Sequence, residues 1–174
     1  MNFHESQNDM RQAYLGGATG ALSSGLVWCF AGVMGVYFSP VNSMLTLFIG
    51  GMFIFPLSIL FSKLLGSSGK HSQNNVLNKL ALENLGILFG GLFVAFVSAQ
   101  YNHAVFYPIM LIIMGARYLT FQTLYGLKIY WIFGAILMAS GMCIAALSMP
   151  FVIGAFVGGI IETVFAMIIY QQNR

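Results

Sequence analysis

From Leu15 to Phe38 the chain runs without a single charged side chain, and five further apolar runs of comparable length follow it. About 20 consecutive apolar residues are needed for an α-helix to cross a bilayer. Inside hydrocarbon every backbone N–H and C=O must be satisfied within the segment, which leaves helices as the spanning form for runs of this length. The repetition therefore predicts an all-α, polytopic integral membrane bundle of six transmembrane helices. The expected spans are 15–38, 41–65, 84–99, 104–124, 129–148 and 151–170, within a single transmembrane domain over 1–174.

Composition bears on the solvent. The chain is 59% hydrophobic and 6% charged, against roughly a quarter charged in a soluble domain. So few charges cannot coat a surface against water, and the expected surroundings are a lipid bilayer. Seven scattered cations give no clustered basic face, so nucleic acid is not an expected partner.

Punctuation between the runs is short. Ser39-Pro40 makes a turn, and Pro56 is expected to kink the second helix without ending it. The polar stretch from Gly66 to Asn75 has the composition of a flexible loop, part of an expected cytoplasmic loop over 66–79. Asn74 or Asn75 is a candidate N-cap for a short interfacial helical turn that feeds the third span. A secretory signal peptide is not expected: Met1–Tyr14 carries Glu5 and Asp9 against Arg11, and the apolar run after it is too long.

Arg11, Lys63, Lys70, Lys79, Lys128 and Arg174 fall on the side shared by both termini, while the three opposite turns hold neither lysine nor arginine. By the positive-inside bias both termini are cytoplasmic. Tyr37, Tyr101 and Tyr107 are expected as aromatic anchors at the outer ends, and Tyr14, Tyr125, Tyr130, Trp131 and Tyr170 at the inner ends.

Helices in lipid associate through close backbone approach and buried polar contacts. Small residues four apart supply candidate faces: Gly16 and Gly20, Gly86 and Gly90, Gly154 and Gly158, and more weakly Gly141 and Ala145. Packing within one subunit is the ordinary reading; a homodimer through one such face is the alternative. Cys29 and Cys143 lie in apolar runs without metal-ligand spacing and read as free thiols packed in helices.

Two charges interrupt the apolar spans, Arg117 and Glu162. Each lies some seven or eight residues before the inner end of its helix, roughly 10–12 Å deep at 1.5 Å per residue. Equal depth and opposite sign allow a structural ion pair. They also allow a polar cavity that binds an ion, a proton or a small anionic group, or an arginine that snorkels to the headgroups. Tyr118, Gln122 and Tyr125 accompany Arg117 on an adjacent helix face, either lining a pocket open to the cytoplasm or anchoring the interface. Lys79 and Glu83 form an ordinary i,i+4 pair. His4, His71 and His103 do not converge, and zinc needs three or four ligands. No metal, no cofactor and no catalytic constellation of the Ser-His-acid or Cys-His kind is expected.

The stretch Phe55-Pro56-Leu57-Ser58-Ile59-Leu60-Phe61-Ser62-Lys63-Leu64-Leu65 resembles a family of small bacterial membrane proteins of unknown function. The likeness continues through Asn78 to Gly86, then Gly115-Ala116-Arg117-Tyr118-Leu119-Thr120-Phe121-Gln122-Thr123-Leu124-Tyr125, Lys128 and Tyr130. Where that family is expected to carry a histidine two residues after the glycine, this sequence has Arg117, and a Pro-Tyr pair stands here as Thr120-Phe121. The resemblance implies a six-span fold in a bacterial inner membrane and names no activity. Three classes of function follow. A small transporter, channel or small-molecule binding protein with Arg117 and Glu162 in its site is favoured slightly over a structural or regulatory subunit that works through helix faces. A membrane-embedded enzyme comes last, for want of a nucleophile, paired acids or a metal.

Overall fold

A computed structural model of the chain describes residues 1–173, and it is helical from end to end with short connections. Six stretches are long and apolar enough to cross a membrane. Their helices are α2 (Ala18–Tyr37), α3 (Pro40–Leu64), α4 (Asn78–Ala99), α5 (Phe106–Tyr125), α6 (Ile129–Ala146) and α7 (Phe151–Gln172), with α1 (Phe3–Tyr14) ahead of them. The boundaries follow the apolar runs, and the helix continues through Pro56. Two differ. The interfacial turn expected before the third span is the first part of α4 itself, and α7 runs on past Tyr170.

Helix α1 is a local consequence of its first residues. Asn2 Oδ1 accepts from the Glu5 backbone N–H at 2.9 Å, and Glu5 Oε2 accepts from the Asn2 N–H at 2.9 Å. This reciprocal capping box satisfies two of the donors that a helix start leaves free. Left-handed backbone at Leu15, Gly16 (φ 65) and Gly17 (φ 88) then turns the chain into α2. A Cβ at Gly17 would also run into the rings of Tyr125 and Tyr130, so glycine is required there twice over. The side chain of Asn173 lies beside Gly16, and the start of α2 and the end of α7 therefore share one end of the bundle, the terminal face.

α2 packs along α3 and α7, and α5 along α4 and α6. The crossings are made close by glycine. Cβ atoms at Gly25 and Gly159 would each stand 2.9 Å from the other's carbonyl oxygen, and Gly115 and Gly134 are related in the same way at 2.6 Å. Gly158 receives the indole of Trp28 and Gly154 the ring of Tyr107, so this expected pair packs within the subunit. Gly86 and Gly90 meet nothing within 4 Å. α3 and α4 turn their sides to α2 and α5 rather than to each other, and much of their apolar surface faces outward, as at Phe53 (57% exposed) and Phe93 (69%).

Several expected anchors are core residues instead. Tyr14, Tyr107, Tyr125 and Tyr130 are buried, whereas Tyr37, Tyr101 and Trp131 are exposed. The reason is pairing: Tyr130 Oη donates to the Gly16 carbonyl at 2.7 Å, and the Tyr107 and Ser43 hydroxyls meet at 2.6 Å. A phenol with a partner inside can leave the interface. Cys29 is half-buried, but Cys143 is exposed on the outward side of α6 and not packed.

The segment 65–77 is strapped to α1 rather than free. Gly69 N–H donates to the Ala13 carbonyl at 3.0 Å, and the Ser67 hydroxyl sits 2.6 Å from the Gln12 carbonyl and 2.8 Å from that of Ala13. Asp9 accepts from the Ser72 N–H and hydroxyl and from Asn75 Nδ2, at 2.8–3.0 Å. Asn75, expected to cap the next helix, spends its amide on Asp9 and the Ser6 carbonyl and its oxygen on the Leu77 N–H.

Candidate functional site

Five helices, α1 to α5, and the strap line a cavity of about 420 Å³ in the half of the bundle nearer the terminal face. α5 contributes Met114, Arg117, Tyr118, Phe121, Leu124 and Tyr125, one helical stripe at i, i+3, i+4 and i+7 spacing. Gly51, Ile54, Phe55 and Ser58 do the same from α3, and Asn78, Ala81, Leu82, Leu85 and Leu88 from α4. Gly20, Ala21 and Ser24 of α2 form the remaining side, and Met10, Tyr14 and His71 close the terminal end. Tyr14 Oη and His71 Nδ1 share a hydrogen bond of 2.9 Å there.

Three of the sequence candidates are thus brought together around one space: Arg117, Tyr118 and Tyr125. Gln122 is half-buried on α5 but outside the lining. Glu162 is fully buried on α7, one side chain behind the wall. Its Oε1 accepts from Tyr118 Oη at 3.1 Å, and Ser24 neighbours the same carboxylate.

The direct ion pair that equal depth allowed is not formed. Arg117 Nη1 donates to the sulfur of Met114 at 3.1 Å, one turn back on its own helix. A thioether is a weak acceptor for a guanidinium. Glu162 is bonded by Tyr118 instead, whose ring is held in place by stacking on Phe133 at 4.0 Å, which stacks on Phe165 at 4.5 Å. Counting to the helix ends also separates the depths, with Arg117 roughly 12 Å and Glu162 roughly 15 Å from the C-termini of α5 and α7.

Among the described residues the buried side-chain atoms without a hydrogen-bond partner are Ser24 Oγ, Arg117 Nε and Glu162 Oε2. All three belong to this cavity or the layer behind it. Buried polar groups are normally satisfied; Ser24 and Glu162 neighbour each other behind Tyr118, which leaves Arg117 Nε as the unused donor of a residue that faces the cavity. Much of the remaining polar lining is already hydrogen-bonded within the protein. Asn84 Nδ2 donates to Thr120 Oγ1 at 2.8 Å, and the Thr120 hydroxyl reaches the Arg117 carbonyl at 2.7 Å. Ser58 meets Thr19 at 3.0 Å, and Thr19 meets Ser62 at 2.8 Å, a hydroxyl row between α2 and α3.

Sequence reading missed Ser24, Met114 and the Asn84–Thr120 pair. For Ser24, Asn84 and Thr120 the one signal was a polar residue in an apolar run, which does not say which way it faces, and Met114 carried none. Lys79 and Glu83 are both exposed on α4 and outside the lining. Among the described residues no group of three or more His, Cys, Asp or Glu side chains could hold a metal ion.

The model of a family described as "Family of unknown function (DUF7010)" matches residues 3–172. No curated protein and no solved structure matches the chain.

Proposed function

We propose that this chain, which belongs to the DUF7010 family of unknown function, binds a small anionic molecule at Arg117, as a transporter or a ligand-binding protein of a bacterial inner membrane. The observation that carries the reading is the state of Arg117. Its guanidinium faces a cavity, bonds a sulfur and leaves Nε without a partner. An uncompensated charge away from water is costly, and arginine's planar fork suits a carboxylate or phosphate. Glu162 offsets the charge from behind Tyr118 but leaves the cavity side of the guanidinium open. In this reading Tyr118 and Tyr125 shape the pocket, and the lipid-facing exterior explains the outward phenylalanines.

Orientation belongs to the same proposal. The basic residues of the terminal face support cytoplasmic termini in a multi-pass protein. A reporter after Arg174 is then active only in the cytoplasm and one inserted at Asn102 only outside.

Binding is tested by the melting temperature of the purified protein in nanodiscs with benzoate, hexanoate, inorganic phosphate and, as the neutral control, benzyl alcohol. Ligand that binds the folded state alone raises stability. The expected result is a rise with at least one organic anion, none with benzyl alcohol, and loss of the rise in Arg117→Gln. Anions that shift nothing, or that shift Arg117→Gln equally, would remove the proposal.

A further inference from the structure

Resting on that reading of Arg117, we infer that the cavity takes a single-chain amphiphile with an acidic head, which enters sideways between α3 and α4. The first ground is the way these two helices part. Near the face opposite the termini they are joined by aromatic contact, Phe48 of α3 to Phe96 of α4 at 6.2 Å, and Phe96 is backed by Phe106 of α5 at 5.1 Å. Towards the terminal face the cavity lies between them. Phe55 on α3 and Leu82 on α4 line that cavity and are also 63% and 62% exposed on the exterior. Wall and outer surface are therefore continuous, and the space opens sideways. In front of Gly51 in the α3 wall a Cβ would meet nothing within 4 Å.

The second ground is that the alternative route is obstructed. Met10 and Tyr14 of α1 and His71 of the strap sit across the terminal end of the cavity. They are held by the bonds to Asp9, Ala13 and His71 described above. Of the two ways in, the lateral one needs no hydrogen bond to break.

The third ground is chemical. The α3 and α4 sides of the cavity are mainly isoleucine, leucine, phenylalanine and alanine, while the α5 side carries one cation with an unused donor. An apolar chain along the first and an acid at the second would match the apolar walls and give Arg117 Nε its acceptor. A neutral amphiphile would bring no opposite charge to the open, cavity side of the guanidinium. Size agrees with one chain rather than two: at about 30 Å³ per water-sized group, 420 Å³ holds about fourteen such groups, so a sixteen-carbon acid fills the space and its tail end extends through the lateral opening.

The test uses a palmitic acid that carries a photoreactive diazirine in its chain, in nanodiscs of zwitterionic lipid, with labelled peptides mapped by mass spectrometry. Hexadecanol with the same diazirine is the head-group control. Labelling is expected to concentrate on the Ile54–Ser58 and Ala81–Leu85 segments, and to fall about tenfold for hexadecanol and for Arg117→Gln, the range of one charge-assisted hydrogen bond. Gly51→Phe fills the slot without touching Arg117 and is expected to reduce the labelling by a similar factor. Should Arg117→Gln fail to fold, Gly51→Phe and hexadecanol still decide the matter. Labels spread evenly over outward positions such as Phe30 and Ile136, unchanged by Gly51→Phe and by the head group, would overturn the inference. If benzoate or phosphate still raised the melting temperature through Arg117, the anion site would stand and only its lipid-like ligand would fall.

Discussion

Tyr118 Oη donates to Glu162 Oε1 across 3.1 Å, so the buried carboxylate of α7 is tied to the residue beside Arg117 rather than to Arg117 itself. The arrangement predicts an order of mutational costs. Tyr118→Phe leaves a fully buried carboxylate without its donor and costs roughly 1–3 kcal/mol. Glu162→Gln keeps an acceptor for the phenol and costs less than Tyr118→Phe. Exchanging the charges, Arg117→Glu with Glu162→Arg, does not rescue, because one site opens on a cavity and the other is enclosed. Thermal melting of these three variants in detergent, with Arg117→Glu and Glu162→Arg alone as references, checks the order, and full rescue by the exchange would show that the two charges act as a direct pair.

At the other end of the bundle the donor arithmetic is different. The Ser43 hydroxyl lies 2.6 Å from the Ala31 carbonyl and 2.6 Å from Tyr107 Oη. A hydroxyl donates once, so Ser43 donates to the carbonyl and accepts from the phenol. Tyr107→Phe then removes a donor and leaves Ser43 bonded, at about 0.5–1.5 kcal/mol. Ser43→Ala strands a buried tyrosine hydroxyl and costs roughly 1–3 kcal/mol. Equal losses in the two melting curves would contradict this direction of donation.

The glycines separate into those that hold the fold and those that do not. A side chain at Gly25 or Gly159 would meet the opposing helix backbone at 2.9 Å. Gly159→Val is therefore expected to force α2 and α7 apart, at 1–3 kcal/mol or more. Gly86→Leu fills open space and is expected to leave the monomer's melting temperature within a degree or two. Loss of stability in Gly86→Leu that depends on protein concentration would show that a second copy packs there.

The outline of the fold was legible because an apolar run long enough to span is a property of composition, and each run became a helix. The polar centre was legible in part: Arg117 and Glu162 stand out as charges among apolar residues. That they fail to meet was not legible, since it depends on Tyr118 being clamped by Phe133 and Phe165, residues from two other helices. The tyrosines misled for a related reason. Position near a helix end suggested anchors, but Tyr107 and Tyr130 find partners inside. Helix α1 was visible in Asn2 and Glu5 at capping-box spacing, a short polar signal overshadowed by the runs after it. Its attachment to the strap rests on Asp9, Ser72 and Asn75, far apart in sequence and paired only in space.

That attachment should respond to pH. Burial raises the Asp9 carboxyl, but hydrogen bonds from Asn75 and Ser72 and the nearby His71 outweigh it and hold its pKa below the ordinary aspartate value. A group whose pKa is lowered by folding contributes stability that is present in full above its unfolded value, about 4. That contribution is lost as pH falls through the lower, folded value. The clasp should hold from neutral pH down to about 4 and loosen below it. Hydrogen exchange of the Gly69 and Ser72 amides, corrected for the intrinsic pH dependence of exchange, reads this directly. Protection should drop below pH 4 in the wild type, and Asp9→Asn should show the drop already at pH 7, since an amide cannot accept from all three of its donors. Protection that is unchanged down to pH 2 would mean that the strap is held by Ser67 and Gly69 on the carbonyls of Gln12 and Ala13, and that Asp9 is incidental.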